Sequence, residues 1–322
     1  MQPYLFLGLM FVTWANPSFA HDSYTPSSID HFPLEQVSGH IYVVHGSQEL
    51  PRPENRGFMN NPAAILTDHG VIIVDPGSSK EIGRSLLEKV QTVSHKPVIA
   101  VFNTHVHGDH WLGNHGVRDV YPGVPVYAHA RMIERVNAGE GQDWIKRFVD
   151  MTDGAVAGTR VVAPTIGLEG GETLVLDGVT LKIHHTGHAH TDNDIMIEVV
   201  EDKGLFFGDI VAAGRVPNSD VPQDASLQGS IAAIKAMLKM PLDIYIPGHG
   251  HSGGREVPEA SLGFMEALYA SVTKYYEQGL EGYEMKEKVI ADLEAYQDWS
   301  NFSEIGRVVN FVFQEIERDR FK

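Results

Sequence analysis

Four side chains able to bind a metal stand close together at His105, His107, Asp109 and His110, in the stretch Asn103-Thr104-His105-Val106-His107-Gly108-Asp109-His110. In an extended turn, residues two apart point the same way, so His105 and His107 can grip one ion. Asp109 and His110 then turn towards a neighbouring ion. Neutral imidazole and carboxylate suit zinc in a nitrogen and oxygen environment. The bland alternative is a solvated polar loop with a chance cluster of histidines. Dense spacing directly after the apolar, β-branched run Pro97-Val98-Ile99-Ala100-Val101-Phe102 favours the metal reading.

Three further polar clusters follow apolar runs. Gly187-His188-Ala189-His190-Thr191-Asp192 follows a strand ending at His185, Gly208-Asp209 follows Leu205-Phe206-Phe207, and Gly248-His249-Gly250-His251 follows Ile244-Tyr245-Ile246. Ligands scattered in sequence but each at a strand terminus are what a site on one sheet edge requires. Most of the 17 histidines need not be ligands, since a histidine outside a cluster is more often a surface or satisfied core residue.

The elements that must position these clusters read in order. Residues 21–39 are a polar, irregular entry, residues 40–45 a strand, and residues 46–61, with two Pro and two Gly, a loop overhanging the site. Strands 63–67 and 71–74 are joined by Asp68-His69-Gly70, and Asp75-Pro76-Gly77 ends the second at a sharp turn. A helix over 79–93 carries Ile82, Leu86, Leu87 and Val90 on one face, with Ser78 or Ser79 as N-cap. After the metal-loop strand come a helix or turn from Trp111, a strand over 125–128, a helical pattern over 129–150 and a Gly/Ala-rich connection over 151–164. Strands resume at 172–176, 179–185, 195–200 and 204–207. A helix over 226–240 leads to the strand 244–246. Strands, helix, strand and ligand loop thus occur twice, which predicts an α/β pseudo-duplicated sandwich with sheets inside and helices outside. Beyond Glu256 the chain reads as helical, and its stripes Leu262, Met265, Leu268, Tyr269, Val272 and Ile305, Val308, Val309, Val312, Ile316 predict core packing.

The chain has 322 residues, 43% apolar and 21% charged, enough for a sizeable core in an ordinary globular protein. Its net charge of -17 speaks against nucleic acid or an anionic membrane surface as partner. With no Cys there are no disulfides, thiolate ligands or cysteine nucleophile. Residues 5–14 form an apolar run short for a bilayer, and Ser18-Phe19-Ala20 places small residues for cleavage before His21. Residues 1–20 are therefore expected to be a secretory leader, with a periplasmic or secreted location and no stable membrane insertion after cleavage; an uncleaved anchor is the alternative.

The motif Thr-His-x-His-x-Asp-His in residues 104–110, with His190, Asp209 and His249 in order, resembles the metallo-β-lactamase superfamily over residues 40–255. Asp75-Pro76-Gly77 matches its Asp-x-Gly turn. The resemblance implies an αββα sandwich with two zinc ions at the sheet edge, a donor set that iron and manganese also suit, and residues 256–322 as extra helices packed on the domain. By position, His105, His107 and His190 would hold the first metal. Asp109, His110 and His249 would hold the second, with Asp209 bridging. His190-Thr191-Asp192 fits the family pattern better than His188, which is expected at the rim or behind the ligands. Asp75 is expected to orient a ligand histidine, and His184 and His251 to be bystanders.

An Asp at position 209 resembles the glyoxalase II, lactonase and phosphodiesterase branches, whereas many true β-lactamases have Cys or no bridging carboxylate there. The implied activity is hydrolysis of an ester, thioester, lactone or lactam. A hydroxide between the metals attacks the carbonyl and Asp109 positions the water. The alternatives are a β-lactamase proper, a mononuclear iron enzyme like the persulfide dioxygenases, and a silent periplasmic metal-binding protein. His107 stands where flavin-coupled di-iron members usually have Glu. The partner expected is a small-molecule substrate.

Overall fold

The run Val71-Ile72-Ile73-Val74 has no polar face, so a strand made from it must be covered on both sides. The computed structural model of the protein, which describes residues 28–217 and 225–320, shows that cover. Ile72 and Val74 point into a layer shared by two sheets, while Val71 and Ile73 pack on a helix outside.

The first sheet has its strands side by side in chain order: β1 (Glu35–Gln36), β2 (Ile41–Val43), β3 (Ala63–Leu66), β4 (Val71–Val74), β5 (Val98–Phe102), β6 (Val126–His129) and β7 (Ile166–Leu168). Strands β4 to β7 run parallel, which needs crossovers. The first crossover is α1 (Lys80–Gln91), begun by Ser79, whose side chain accepts from the Ile82 N–H. Its Ile82, Leu86, Leu87 and Val90 are buried against the sheet, each contributing about 1.5–3 kcal/mol. The short helices α2 (Gly108–Trp111) and α3 (Asn114–Val120) follow β5. Between β6 and β7 lie α4 (Ala130–Arg135) and α5 (Gly141–Met151).

The second sheet contains β8 (Thr173–Leu176), β9 (Val179–His184), β10 (Met196–Val199), β11 (Gly204–Ala212) and β12 (Ile244–His249), in the spatial order β12-β11-β10-β9-β8. Leu181, Ile183, Ile197 and Phe206 meet Ile65, Ile72 and Phe102 of the first sheet in the central layer. The outer face of the second sheet is covered by α6 (Leu227–Met237), α7 (Glu256–Tyr276), α8 (Gly282–Asp292) and α9 (Ile305–Arg320). Both C-terminal stripes lie in that layer, with Leu268, Val272, Val309 and Val312 fully buried. The architecture is the αββα sandwich with added C-terminal helices. Among the described residues, no helix is long and apolar enough to cross a membrane. The leader expected over 1–20 and its cleavage point lie outside the described residues.

The differences from the sequence expectations have physical causes. Residues 129–150 do not form one helix: a π-turn over Val136–Glu140 interrupts them at Gly139, whose φ of 121° is closed to a regular helix. The entry segment is not wholly irregular, because Glu35 and Gln36 pair with Tyr42 and Val43. β7 escapes the pattern because two of its three residues are exposed. The largest difference concerns β11, which continues past Phe207 through Asp209 to Ala212 rather than ending before the acid.

Candidate metal centre

β5 delivers Asn103 and Thr104 to the edge of the sandwich, and the turn into α2 carries His105, His107, Asp109 and His110. This turn is anchored from below. Trp111 is fully buried, and its indole N–H donates to the Val106 carbonyl at 2.7 Å. From the second sheet, β11 brings Asp209 on an irregular stretch, where its pairing with β12 shifts between Phe206 and Gly208 and again before Ala212. Gly208 there has φ of 55°, so the strand bulges and aims the carboxylate inward. His249 is the last residue of β12. Gly248 is required beside it, since a Cβ there would lie 2.0 Å from Asp209 Oδ1.

The ligand atoms fall into two groups. His105, His107, His190 and Asp209 form one, and Asp109, His110, Asp209 and His249 the other, with atoms in each group within 4.8 Å of one another. Asp209 belongs to both. Its Oδ1 is 3.1 Å from His110 Nε2, and its Oδ2 is 3.2 Å from His249 Nε2 and 3.6 Å from His190 Nε2. All seven residues singled out as ligands in the sequence are brought together here.

Three of the histidines have their tautomer set from behind. The Thr104 hydroxyl donates to Asp75 Oδ2 at 2.7 Å, so it can only accept from His105 Nδ1–H at 3.0 Å. His110 Nδ1–H donates to Asp75 Oδ2 at 2.8 Å, and His249 Nδ1–H to the Met59 carbonyl at 2.8 Å. Each Nε2 therefore faces the cluster as a bare lone pair, the arrangement that outer hydrogen bonds impose on metal-binding imidazoles. His105 Nε2, His110 Nε2 and Asp209 Oδ1 are buried with no hydrogen-bond partner. Buried polar atoms are rarely left so. Unpartnered atoms converging from several elements, all of them nitrogen or carboxylate oxygen, fit a pair of divalent cations of the zinc type.

The electrostatics agree. Burial, with His110 beside it, holds His105 well below the usual imidazole range, and burial with His190 lowers His107 to about 3. Burial also lowers His190. These three stay neutral, the form that binds metal. Burial alone would push the Asp209 carboxyl up, but His249 and His110 outweigh it and hold it well below the usual range. Burial likewise opposes ionisation of Asp109, and the adjoining His110 and His249 overcome it. Against burial, Asp209, Asp109 and Asp75 raise His110, and Asp209 raises His249. The pocket draws positive charge to the place where both acids meet.

Asp75 lies behind the histidines, bonded to His110, with φ of 49° in the left-handed region that Asp tolerates. His188 is exposed and outside the cleft lining, since the chain turns at Gly187 and brings His190 inward. His184 pairs with Glu198 at 2.9 Å and His251 is exposed, both away from the ligand groups. His190→Ala is expected to remove metal from the first group, while His188→Ala keeps metal content near wild type; metal analysis after dialysis against a chelator measures both. Loss from His188→Ala alone would reverse the assignment.

Other residues of the cleft carry no motif. Met59 comes from the loop 46–61, Trp144 and Phe148 from α5, and Arg215 from the turn that follows β11. The Trp144 ring lies 5.0 Å from the His107 ring, tilted against it at 54°, and its N–H donates to Glu140, which pairs with Arg135 and through it with Asp192. The C-terminal helices do more than pack on the sandwich, since Asn301, Glu304, Arg307 and Val308 form one wall of the cleft.

Residues 56–249 match the family model described as the metallo-beta-lactamase superfamily, a span covering most of the sandwich and all seven ligand candidates. The chain belongs to the metallo-β-lactamase superfamily. Within it, the chain is 28% identical to a linear primary-alkylsulfatase of a Pseudomonas species over 213 residues, 58% of this chain and 31% of that protein. It is 30% identical to a hydroxyacylglutathione hydrolase of Gloeobacter violaceus over 158 residues, 48% of this chain and 50% of that one. The chain thus spans only about a third to a half of these curated relatives. Among solved structures, a double mutant of the sec-alkyl sulfatase PisA1 aligns with TM-score 0.69 and 21% identity, covering 88% of this chain and 50% of that one. A metallo-beta-lactamase from Pontibacter korlensis aligns with TM-score 0.58 and 19% identity, covering 73% of this chain and 99% of that one. The lactamase is nearly all matched, so about a quarter of this chain has no counterpart in it.

Proposed function

We propose that the protein is a metal-dependent hydrolase of esters, thioesters and lactones, bonds whose leaving group is an oxygen or sulfur anion. The observation that carries this is Asp209, a carboxylate common to both donor groups. A shared hard anion ties two cations into a matched pair. When bound, such a pair polarises a carbonyl, makes water nucleophilic near neutral pH and stabilises the departing atom.

The residues of the chain supply the rest. Asp109, kept ionised and lining the cleft, accepts a hydrogen bond from the attacking water and orients it. Asp75, Thr104 and the Met59 carbonyl hold three imidazoles in the ligand tautomer, so no reorganisation is needed during reaction. Trp144, Phe148 and Met59 form an apolar wall that limits water and receives an apolar part of the substrate. The leader-like residues 5–20 support export, and an intact mass beginning at His21 tests it.

Hydrolysis of sulfate esters is a second reading, favoured by the alkylsulfatase relatives and by the alignment with PisA1, which covers 88% of this chain and leaves a remainder of it shorter than the segment from Glu256 onward. The test is steady-state kinetics of the zinc-, iron- and manganese-loaded protein on a lactone, a thioester, an aryl ester, an alkyl sulfate and a cephalosporin. The expected result is a cephalosporin kcat/KM at least about tenfold below the best of the others. A cephalosporin turned over fastest would make it a lactamase. Tight metal binding without turnover would make it a carrier, and persulfide oxidation by the iron form an oxidoreductase.

A further inference from the structure

Thr104, Asp75 and the Met59 carbonyl support His105, His110 and His249 from behind, but His107 and His190 have no such support. Among the described residues, the hydrogen bond given to either ring is the one between them, His190 Nε2 to His107 Nδ1 at 2.9 Å. The last torsion of a histidine side chain is soft, so contacts must set the plane of the ring. His190 is buried on a loop fixed from within. The Thr191 N–H and hydroxyl donate to buried Asp194 at 2.6 and 2.8 Å, and the Ile195 N–H donates to the Thr104 carbonyl at 2.8 Å. His107 is only half-buried. Its ring meets the rings of His105 at 4.8 Å, His190 at 4.7 Å and Trp144 at 5.0 Å. The first two belong to the same donor group, so Trp144 is what bears on His107 from outside it.

Charge holds Trp144 there. Its N–H donates to Glu140 Oε1 at 3.3 Å. Arg135 donates from Nε and Nη2 to the two Glu140 oxygens at 2.6 and 2.9 Å, and from Nη1 to Asp192 Oδ1 at 2.9 Å. One guanidinium thus joins two carboxylates, one at the end of the π-turn and one two residues past His190. The three side chains are 22%, 25% and 30% exposed, so solvent screens these pairs only in part. The bridge has a task because the π-turn is loosely placed: a Cβ on Gly139 would meet nothing within 4 Å. On the other side the fit is close, since a Cβ on Gly108 would lie 3.1 Å from Trp144 Cβ. The Arg147 guanidinium also lies over the indole, at 5.0 Å, but it belongs to α5 and moves with Trp144 rather than tying it to the His190 loop.

We propose that Arg135 is a positioning residue of the first metal position: by bridging Glu140 to Asp192 it fixes Trp144 against His107, and so sets the affinity of the group that His107 shares with His105 and His190. The inference rests on the two metal-binding groups and holds whichever bond the protein breaks. The planar fork of Arg135 grips Glu140 with two parallel N–H donors while a third reaches Asp192, which the point charge of a lysine cannot reproduce.

The test is titration of the zinc-loaded, full-length protein with a chromophoric chelator, which reads the affinity of each position, while the visible spectrum of the cobalt(II)-loaded protein reads ligand geometry. Arg135→Met and Trp144→Ala are each expected to weaken one position about 10- to 100-fold, the range of an outer contact to a metal ligand, and to alter the cobalt spectrum. Arg135→Lys should behave as Arg135→Met does. Because Arg135 acts through Trp144, the double variant should lose no more affinity than Trp144→Ala alone. In a His190→Ala background, which empties the first group, neither substitution should affect the remaining ion. Wild-type affinity in both single variants would overturn the proposal, as would additive losses, full rescue by lysine or an effect on the remaining ion. A lower melting temperature with an unchanged cobalt spectrum would also overturn it, by making the bridge a support of the fold alone. Trp144→Ala leaves the ion pairs in place, which covers a failure of Arg135→Met to fold. No readout needs turnover, so a protein inactive on every ester can still uphold the bridge, and a hydrolase with unaltered metal affinity in both variants would sink the inference alone.

Discussion

Asp209→Ala is expected to empty both metal positions together and to lower kcat/KM by at least about a thousandfold, roughly 4 kcal/mol of transition-state stabilisation. The reason is geometric. Asp209 is the one residue common to the two donor groups, with one oxygen near His110 and the other near His249, His190 and His105. Removing any other ligand leaves one group whole; removing this one leaves two groups of three neutral or mostly neutral donors. His110 and His249 also lose the acid that raises them. Metal content per chain, read by plasma emission after dialysis, should fall from about two towards zero. A variant that keeps one tightly bound ion would show that Asp209 serves a single position and is not the bridge. Asp209→Asn keeps the volume and separates loss of charge from a packing defect.

Much of this centre is legible in the sequence, because its ligands sit where strong local signals end. His105 to His110 follow an apolar β-branched run, and His190, Asp209 and His249 each come after another apolar run in the sequence. Period and turn chemistry locate such places without knowledge of the fold. The sandwich was legible for the same reason: Val71-Ile72-Ile73-Val74 and Leu205-Phe206-Phe207 have no polar face, so each demands cover on both sides. What escaped was whatever depends on contacts distant in sequence. Met59 orients His249 with a backbone carbonyl, a group present at every residue. Trp144 reaches His107 only because a π-turn at Gly139 redirects α5, and no 3.6-residue pattern encodes that break. β11 runs through Asp209 because its partner β12 is parallel and its bulge is stabilised by pairing, neither of which is a property of residues 204–212 alone. Asn301 lies in a stretch that reads as helical and Arg215 in one that carries no motif, and the tertiary strap of Arg215 to Ser300 joins them.

Asp75→Asn tests whether orientation from behind, rather than the ligands alone, makes this a metal centre. Asp75 Oδ1 accepts from the Thr104 N–H at 2.8 Å, and Oδ2 accepts from both the Thr104 hydroxyl and His110 Nδ1. All three partners donate, so an amide cannot satisfy them. With its NH2 towards Oδ2's place, it donates to His110 Nδ1, and the proton of that ring must move to Nε2, the atom that faces the cluster. It also donates to the Thr104 hydroxyl, which is then free to donate to His105 Nδ1, and His105 takes the wrong tautomer as well. His105 and His110 belong to different donor groups, so one substitution with no change in size disables a ligand in each. With the amide reversed, two donors face each other at the end of β5, at a cost of about 1–3 kcal/mol to the fold. The expected result is metal affinity lowered about 10- to 100-fold at both positions, measured by competition with a chromophoric chelator, with the fold of the metal-free protein followed by circular dichroism. Loss at the His110 group alone would show that Thr104 does not relay the change to His105. Wild-type affinity at both positions, with an intact fold, would remove Asp75 from the centre and leave the tautomers set by the bound ions themselves.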